Sequence, residues 1–219
     1  MVITDAQGRT RTRRFTILRW DEPGPDGQQV DGDQRFYVYF DRPADVSKMV
    51  FMVHKHLDRD DDRWLYMPSL DLVKRIAATD KRTSFVGSDF FYEDVSGRRL
   101  SDDKHALVET TDNYYVVRNT PVDKSLVEFA WYKVWIHKTT FLPIKVEYYK
   151  ADGTKYREYS AEKVDQIDGH WTVTKSKMSN LETGSSTEMS YSEVRYDVGL
   201  NGDIFTERYL RKPPRKFLR

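Results

Sequence analysis

Apolar and polar positions alternate along most of this chain with the period of two that marks a half-buried β-strand. Between Trp64 and Asp94 the sequence reads WLYMPSLDLVKRIAATDKRTSFVGSDFFYED. Trp64 and Tyr66 share one side of a strand that ends at Pro68, because proline cannot donate to a ladder. Leu70, Leu72, Lys74 and Ile76 then alternate with Asp71, Val73, Arg75 and Ala77, which predicts a second strand hairpinned on the first. After the basic turn at Lys81 and Arg82, Ser88 or Asp89 is expected to cap a short helix, with Glu93 and Asp94 near its positive end and Gly97 as its stop. Phe85, Phe90, Phe91, Tyr92 and Val95 give that helix more apolar surface than one or two turns can hide.

The same pattern continues on both sides. Residues 9–20, RTRTRRFTILRW, predict a long strand with a solvated start, and the Pro- and Gly-rich stretch 21–33 breaks it. Gln34 to Phe40 alternates Phe36, Val38 and Phe40 against Tyr37 and Tyr39. Met49 to His56 is apolar on both faces at its start, the signature of a sheet packed on one side and lining something on the other. Hairpins are expected across Thr111-Asp112, Asp152-Gly153 and Asp168-Gly169, joining strands at 105–110, 113–119, 126–137, 140–150, 156–164, 171–178 and 187–198. Asn201 opens a last helix, Asp203 to Leu210. About ten strands at short spacing with two short helices predict a mainly β (α+β) fold: one large, curved antiparallel sheet forming a half-open barrel, its opening covered by the helices. No repeat or low-complexity linker divides residues 1–219, so a single domain is expected, with a folded core over 8–210 and a basic tail over 211–219.

Composition narrows the function. With 36 basic and 35 acidic residues the net charge is +1, which gives nucleic acid no electrostatic footing. The chain has no cysteine, so disulfides, thiolate nucleophiles and cysteine zinc sites drop out together. No window approaches the roughly 18 apolar residues of a membrane helix. Asp58, Asp60 and Asp62 have the one-three-five spacing of a calcium loop, but Arg63 and Ser69 stand where its glycine and glutamate belong, so a solvated turn is the simpler account. His54 and His56 share a strand face without a third ligand set by spacing, and His105, His137 and His170 are isolated. Ser88 follows Gly87 but lacks the second glycine of a nucleophile elbow. Phosphate-binding glycine loops are absent too, so no catalytic residue, metal or cofactor is expected. RYLRKPPRKFLR at the C-terminus has six basic residues and no acid, and reads as a solvated tail or an anion-seeking one.

WLYMPSLDLVKRI and FVGSDFFYEDV, together with FDRPADV at 40–46, YYKADG at 148–153 and KMSN at 177–180, closely resemble the outer membrane lipoprotein-sorting proteins of the LolA-like superfamily. The likeness runs from about Arg9 to Leu210. It implies a half-open β-barrel, a periplasmic location with the signal peptide removed, and a hydrophobic cavity that shelters lipid or lipoprotein acyl chains in outer-membrane sorting. The branch is also associated with transporters of the resistance-nodulation-division (RND) type, so an interaction module docking on such a transporter is the alternative. On the carrier expectation the cavity is lined by Phe36, Val38, Phe51, Val53, Trp64, Tyr66, Phe90, Phe91, Trp131 and Trp135, with Met49, Met52 and Met67 lending an adaptable wall. A charged residue at Phe51 or Trp64 is then expected to weaken binding more than it disturbs the fold.

Overall fold

The computed structural model describes residues 1–24 and 32–218. In chain order the strands are β1 (Val2–Thr4), β2 (Thr10–Thr12), β3 (Arg14–Asp21), β4 (Gln34–Arg42), β5 (Val50–Lys55), β6 (Asp62–Met67), β7 (Leu72–Arg75), β8 (Asp103–Thr110), β9 (Tyr114–Pro121), β10 (Trp131–His137), β11 (Pro143–Tyr149), β12 (Lys155–Ile167), β13 (His170–Asn180) and β14 (Ser185–Ser190). Two short helices, α1 (Tyr92–Ser96) and α2 (Glu207–Arg211), complete the set with several 3-10 turns. The fold is mainly β with large antiparallel sheets and few short helices, the expected class.

The strands fall into two open sheets, one of nine in the order β2-β1-β14-β13-β12-β11-β10-β9-β8 and one of five in the order β3-β4-β5-β6-β7. Each is the centre of a compact unit. Met1–Arg11 joins Arg82–Tyr196 in the first, and Thr12–Lys81 joins Asp197–Arg219 in the second. Both units are discontinuous in sequence, which is why no linker is visible along the chain.

Several boundaries move from their sequence expectation, each for a local physical reason. The strand expected over 9–20 splits at Arg13, a buried residue whose Nη1 donates to Asp45 at 3.1 Å. Asp71, at φ +43°, ends a 3-10 turn over Pro68–Leu70, so the second strand of that hairpin starts only at Leu72. Residues 124–126 form another 3-10 turn, and the strand expected from Leu126 begins at Trp131. The expected last strand stops at Ser190, and the expected C-terminal helix is a 3-10 turn over Gly202–Ile204 followed by α2. The loop expected over 21–33 lies in part, at 25–31, outside the described residues. Two hairpin turns are as predicted, with Gly153 and Gly169 at φ near +85°, where a side chain would be strained.

In the five-stranded unit the two-sided apolarity of β5 is fully used. Val50 and Met52 face one side and Phe51 and Val53 the other, and all four are completely buried. The Met52 side forms a cross-strand row, Leu18, Tyr37, Met52 and Trp64. Ile204, Phe205 and Leu210 close over that row, with Phe217 and Leu218 packed against the same cluster. Residues 211–218 are therefore docked rather than frayed, a correction to the tail expected from composition. Arg211 Nε reaches Asp71 at 2.9 Å, and the Tyr37 hydroxyl donates to the Tyr209 carbonyl at 2.7 Å.

The Phe205 and Leu210 side chains are fully enclosed, so Phe205→Ala should cost about 3–5 kcal/mol, read as a lower denaturation midpoint at unchanged slope. A second expectation concerns His54, whose Nε2 donates to the Phe205 carbonyl at 2.7 Å. Burial holds this imidazole below its ordinary value although that hydrogen bond works the other way. The unfolded chain takes up the proton near the usual pH of about 6.5 and the folded one only lower. Stability is thus fully present above about pH 6.5 and declines as the pH falls through the folded value. Melting curves between about pH 7.5 and 5.5 should show this decline, and His54→Gln should flatten it.

Candidate functional site

In the nine-stranded unit the pleat places Leu107, Val117, Val134, Val146, Tyr159, Met178, Thr187 and Ile3 opposite one another in a single row across eight strands. Its two ends differ. Ile3, Met178 and Thr187 are buried, Tyr159, Val146, Val134 and Val117 are half-buried, and Leu107 is 61% exposed. The partly uncovered portion from Leu107 to Tyr159 spans about 19 Å at the usual strand spacing. A largely aliphatic row left partly uncovered along that length suits an extended, flexible apolar ligand better than a compact one.

The buried end is closed by the segment Thr83–Ser96. Val86 and Gly87 both take positive φ and reverse the chain, so that Phe85 N meets Phe90 O at 2.7 Å. Ser88 does not cap the helix: its hydroxyl donates to Phe85 O at 2.7 Å. Nor does Asp89. Its backbone N donates to Thr187 Oγ1 at 2.9 Å, and its carboxylate accepts from Thr187 Oγ1 at 2.7 Å and Ser185 Oγ at 2.5 Å. The cap of α1 comes instead from Asp94, which accepts from Phe91 N at 2.6 Å. A polar side chain three residues inside the helix does the work that sequence logic assigned to the residues before it.

A buried ionic network locks this segment down. Arg157, opposite Tyr148 in the neighbouring row, is 2% exposed. Its guanidinium pairs with Asp94, donates to the Asp89 carbonyl at 2.8 Å and lies 4.0 Å from the Phe91 ring centre. Arg82 approaches the same ring at 4.8 Å and grips Glu128 through Nε at 3.0 Å and Nη2 at 2.5 Å. Burial works against the charge on Glu128, but Arg82 and the Tyr156 hydroxyl, at 2.7 Å, hold it below the usual carboxylate range. Arg98 completes the set, bidentate to Asp103 at 2.8 and 3.1 Å and bound to Glu93 at 3.2 Å. Burial pushes the Tyr132 phenol up, as does Asp103, which accepts from it at 2.8 Å.

The ten residues expected to line one cavity are distributed over several surfaces. Phe36, Val38, Phe51 and Val53 do share a face of the five-stranded sheet, all buried. Trp64 and Tyr66 lie on its opposite face, Trp64 under the docked C-terminal segment. A charge at Phe51 or Trp64 would therefore strike the core and disturb the fold first, contrary to the sequence expectation. Phe91 belongs to the ionic network, and Phe90 is buried at its turn. Trp131 and Trp135 point away from the Val134 row, onto the side that carries Lys133 and Lys145. Of the methionines, Met52 is core, whereas Met49 and Met67 line an open pocket of about 450 Å³ with Asp45, Ser47 and Ser69. In the stretch 54–62, His56 sits between Asp33, at 2.6 Å, and Asp62, at 3.1 Å, and Asp62 also binds Arg59 and Arg75.

The row at Leu107, Val117, Val134 and Val146 was missed because it is made of small side chains. Lys133 was the available signal: a lysine between two tryptophans marks their shared face as the outer one, leaving Tyr132, Val134 and Ile136 for the inner.

A family profile described only as an uncharacterized protein matches residues 32–212. Among solved structures, an outer membrane lipoprotein-sorting protein domain from Vibrio parahaemolyticus is 30% identical, with 96% of this chain and 88% of that one covered at a TM-score of 0.83. The chain belongs to the outer membrane lipoprotein-sorting family. Another similar structure, a DUF1329 family protein from Desulfovibrio piger, is 31% identical over 95% of this chain and 88% of that one, again at 0.83. A LolA superfamily protein from Nitrosomonas europaea, 22% identical over 95% of this chain and 87% of that one at 0.65, shares the fold. No curated protein matches. In this family member the two long motifs have distinct duties. WLYMPSLDLVKRI builds β6, a turn and β7, while FVGSDFFYEDV supplies the residues that bind Thr187, Ser185 and Arg157.

Removing one partner of a buried pair leaves the other uncompensated, so Asp94→Asn should destabilise by about 3–5 kcal/mol. Hydrogen exchange should then quicken at the amides of Phe85, Phe91 and Asp94 before the β12–β13 ladder is affected. Unchanged exchange at those three amides would mean that the network does not hold the segment.

Proposed function

We propose that this protein is a periplasmic carrier or binding protein for lipid or lipoprotein acyl chains, acting without catalysis, and that the chain lies along the Leu107–Tyr159 row. The observation that carries this is the row itself: four aliphatic side chains and a tyrosine continuous across five strands and left partly uncovered, on a fold shared with a relative named for lipoprotein sorting. In that setting the ionic network has a use. It keeps Thr83–Ser96 fixed at one end of the row without using its aliphatic surface, so Leu107, Val117 and Val134 stay available for cargo.

The energetics suit a carrier. At about 0.8 kcal/mol per methylene, a chain of about 16 carbons gains on the order of 10 kcal/mol if wholly buried. An open row buries only part of it. That moderates affinity, and a carrier that must hand its cargo on needs moderate affinity.

Native mass spectrometry with organic extraction, on protein exported to the periplasm, is expected to find a bound acyl lipid. Leu107→Asp changes an exposed position and should leave the melting temperature within a few degrees while clearly reducing loading, and Val134→Asp should reduce it further. Lys133→Ser, on the opposite face of the same strand, should leave loading unchanged. Protein that is empty from the periplasm and takes up no fluorescent fatty acid would sink the proposal.

A further inference from the structure

The tip of the β10–β11 hairpin carries Phe141, which is 70% exposed and held at φ +54°, a conformation that bulky side chains disfavour. The tip is well tied. His137 Nδ1 accepts from the backbone N–H groups of Thr139 and Thr140 at 3.3 Å each, and Phe141 N donates to His137 O at 2.8 Å. Lys138 N donates to Asn113 O at 2.9 Å, fastening the tip to the adjacent hairpin. An exposed phenylalanine on a rigid, strained turn is set out for contact rather than left over from packing.

Behind the tip, the face opposite the Val134 row alternates cations with rings. Lys145 lies over Trp135 at 4.8 Å, Arg118 and Lys133 lie over Trp131 at 4.5 and 5.8 Å, and Trp131 stacks on Tyr149 at 3.8 Å. At the edge of the Val134 face itself, Lys138 lies over Tyr115 at 5.4 Å. Lys145 pairs with Glu147 at 2.8 Å, whereas Arg118, Lys133 and Lys138 meet no carboxylate among the described residues. In a chain whose charges almost cancel, these three cations on one hairpin and its neighbour leave a small local excess over the two carboxylates there that meet no cation among the described residues, Glu109 and Asp112.

We propose that this hairpin docks the protein on an anionic phospholipid bilayer, with Phe141 entering the boundary of the acyl region. Amphipathic rings and cations side by side match the chemistry of a membrane interface, where rings take the headgroup level and lysines meet phosphates. The dimensions agree. At about 3.3 Å per residue, Trp135 and Lys145 stand within roughly 10 Å of the tip, at headgroup depth, and Lys133 and Arg118 about a Debye length further out. This surface is separate from the acyl row, so the proposal goes beyond the carrier function and does not depend on it.

Flotation of the full chain with phosphatidylcholine vesicles, with and without phosphatidylglycerol, tests it. Binding is expected only with phosphatidylglycerol, and should fall as salt is raised. Phe141→Asp should weaken binding, and Lys133→Glu with Lys145→Glu should weaken it by about tenfold, while Lys177→Glu, elsewhere on the same face, should not. None of these exposed changes should alter fatty-acid uptake, which separates a failure here from a failure of the carrier function. Absence of flotation with phosphatidylglycerol, equal flotation with both vesicle types, or wild-type binding by Phe141→Asp would overturn the proposal.

Discussion

The nine-stranded unit depends on a guanidinium buried beneath a phenylalanine ring. Arg157 has no route to solvent, and its charge is tolerated only because Asp94, the Asp89 carbonyl and the rings of Phe91 and Tyr148 surround it. Such a pair gains little over an apolar plug of the same volume, because the cost of desolvation offsets most of the attraction. What it supplies is a unique position. Phe91 can sit only between Arg157 and Arg82, and with it the turn at Gly87 and the helix that follows.

The two units solve the same problem by different physics. Each has a sheet with an apolar face and a short segment lying on it. In the five-stranded unit, Ile204, Phe205 and Leu210 meet Leu18, Met52 and Trp64, and burial does the work. Directional contacts there are fewer: the Tyr37 and His54 bonds to backbone carbonyls and the exposed Arg211–Asp71 pair. In the nine-stranded unit the segment binds the sheet through polar groups, Asp89 to Thr187 and Ser185 and Asp94 to Arg157, so it stops where its partners stop. The apolar row continues past it.

β10 shows the consequence most clearly. Its inner side, Val134, belongs to a row with no complete cover, and its outer side, Trp131, Lys133 and Trp135, is a ladder of rings and cations. A strand that covers an ordinary core has one face buried and one solvated. Here one face is apolar and only partly covered, and the other alternates rings with cations, the two features on which the proposed carrier function and the proposed bilayer contact rest. On the proposed carrier function the two properties belong on opposite sides of one sheet, where neither obstructs the other.

Period-two alternation was enough to specify the strands, since each strand carries its own pattern, and the Asp-Gly turns fixed two hairpins because only a few residues accept positive φ. The motifs WLYMPSLDLVKRI and FVGSDFFYEDV pointed to the family correctly, being long enough to be specific. Neighbours in space decided the rest. Ser88 and Asp89 have the right chemistry for a cap, but Thr187 lies nearly a hundred residues away in sequence and claims Asp89. Trp131 and Trp135 are large enough to suggest a cavity, yet the side of the sheet they occupy depends on which face the Arg157 network covers. The row from Leu107 to Tyr159 draws one residue from each of five strands, so no window of sequence contains it; pairing register alone brings it into being.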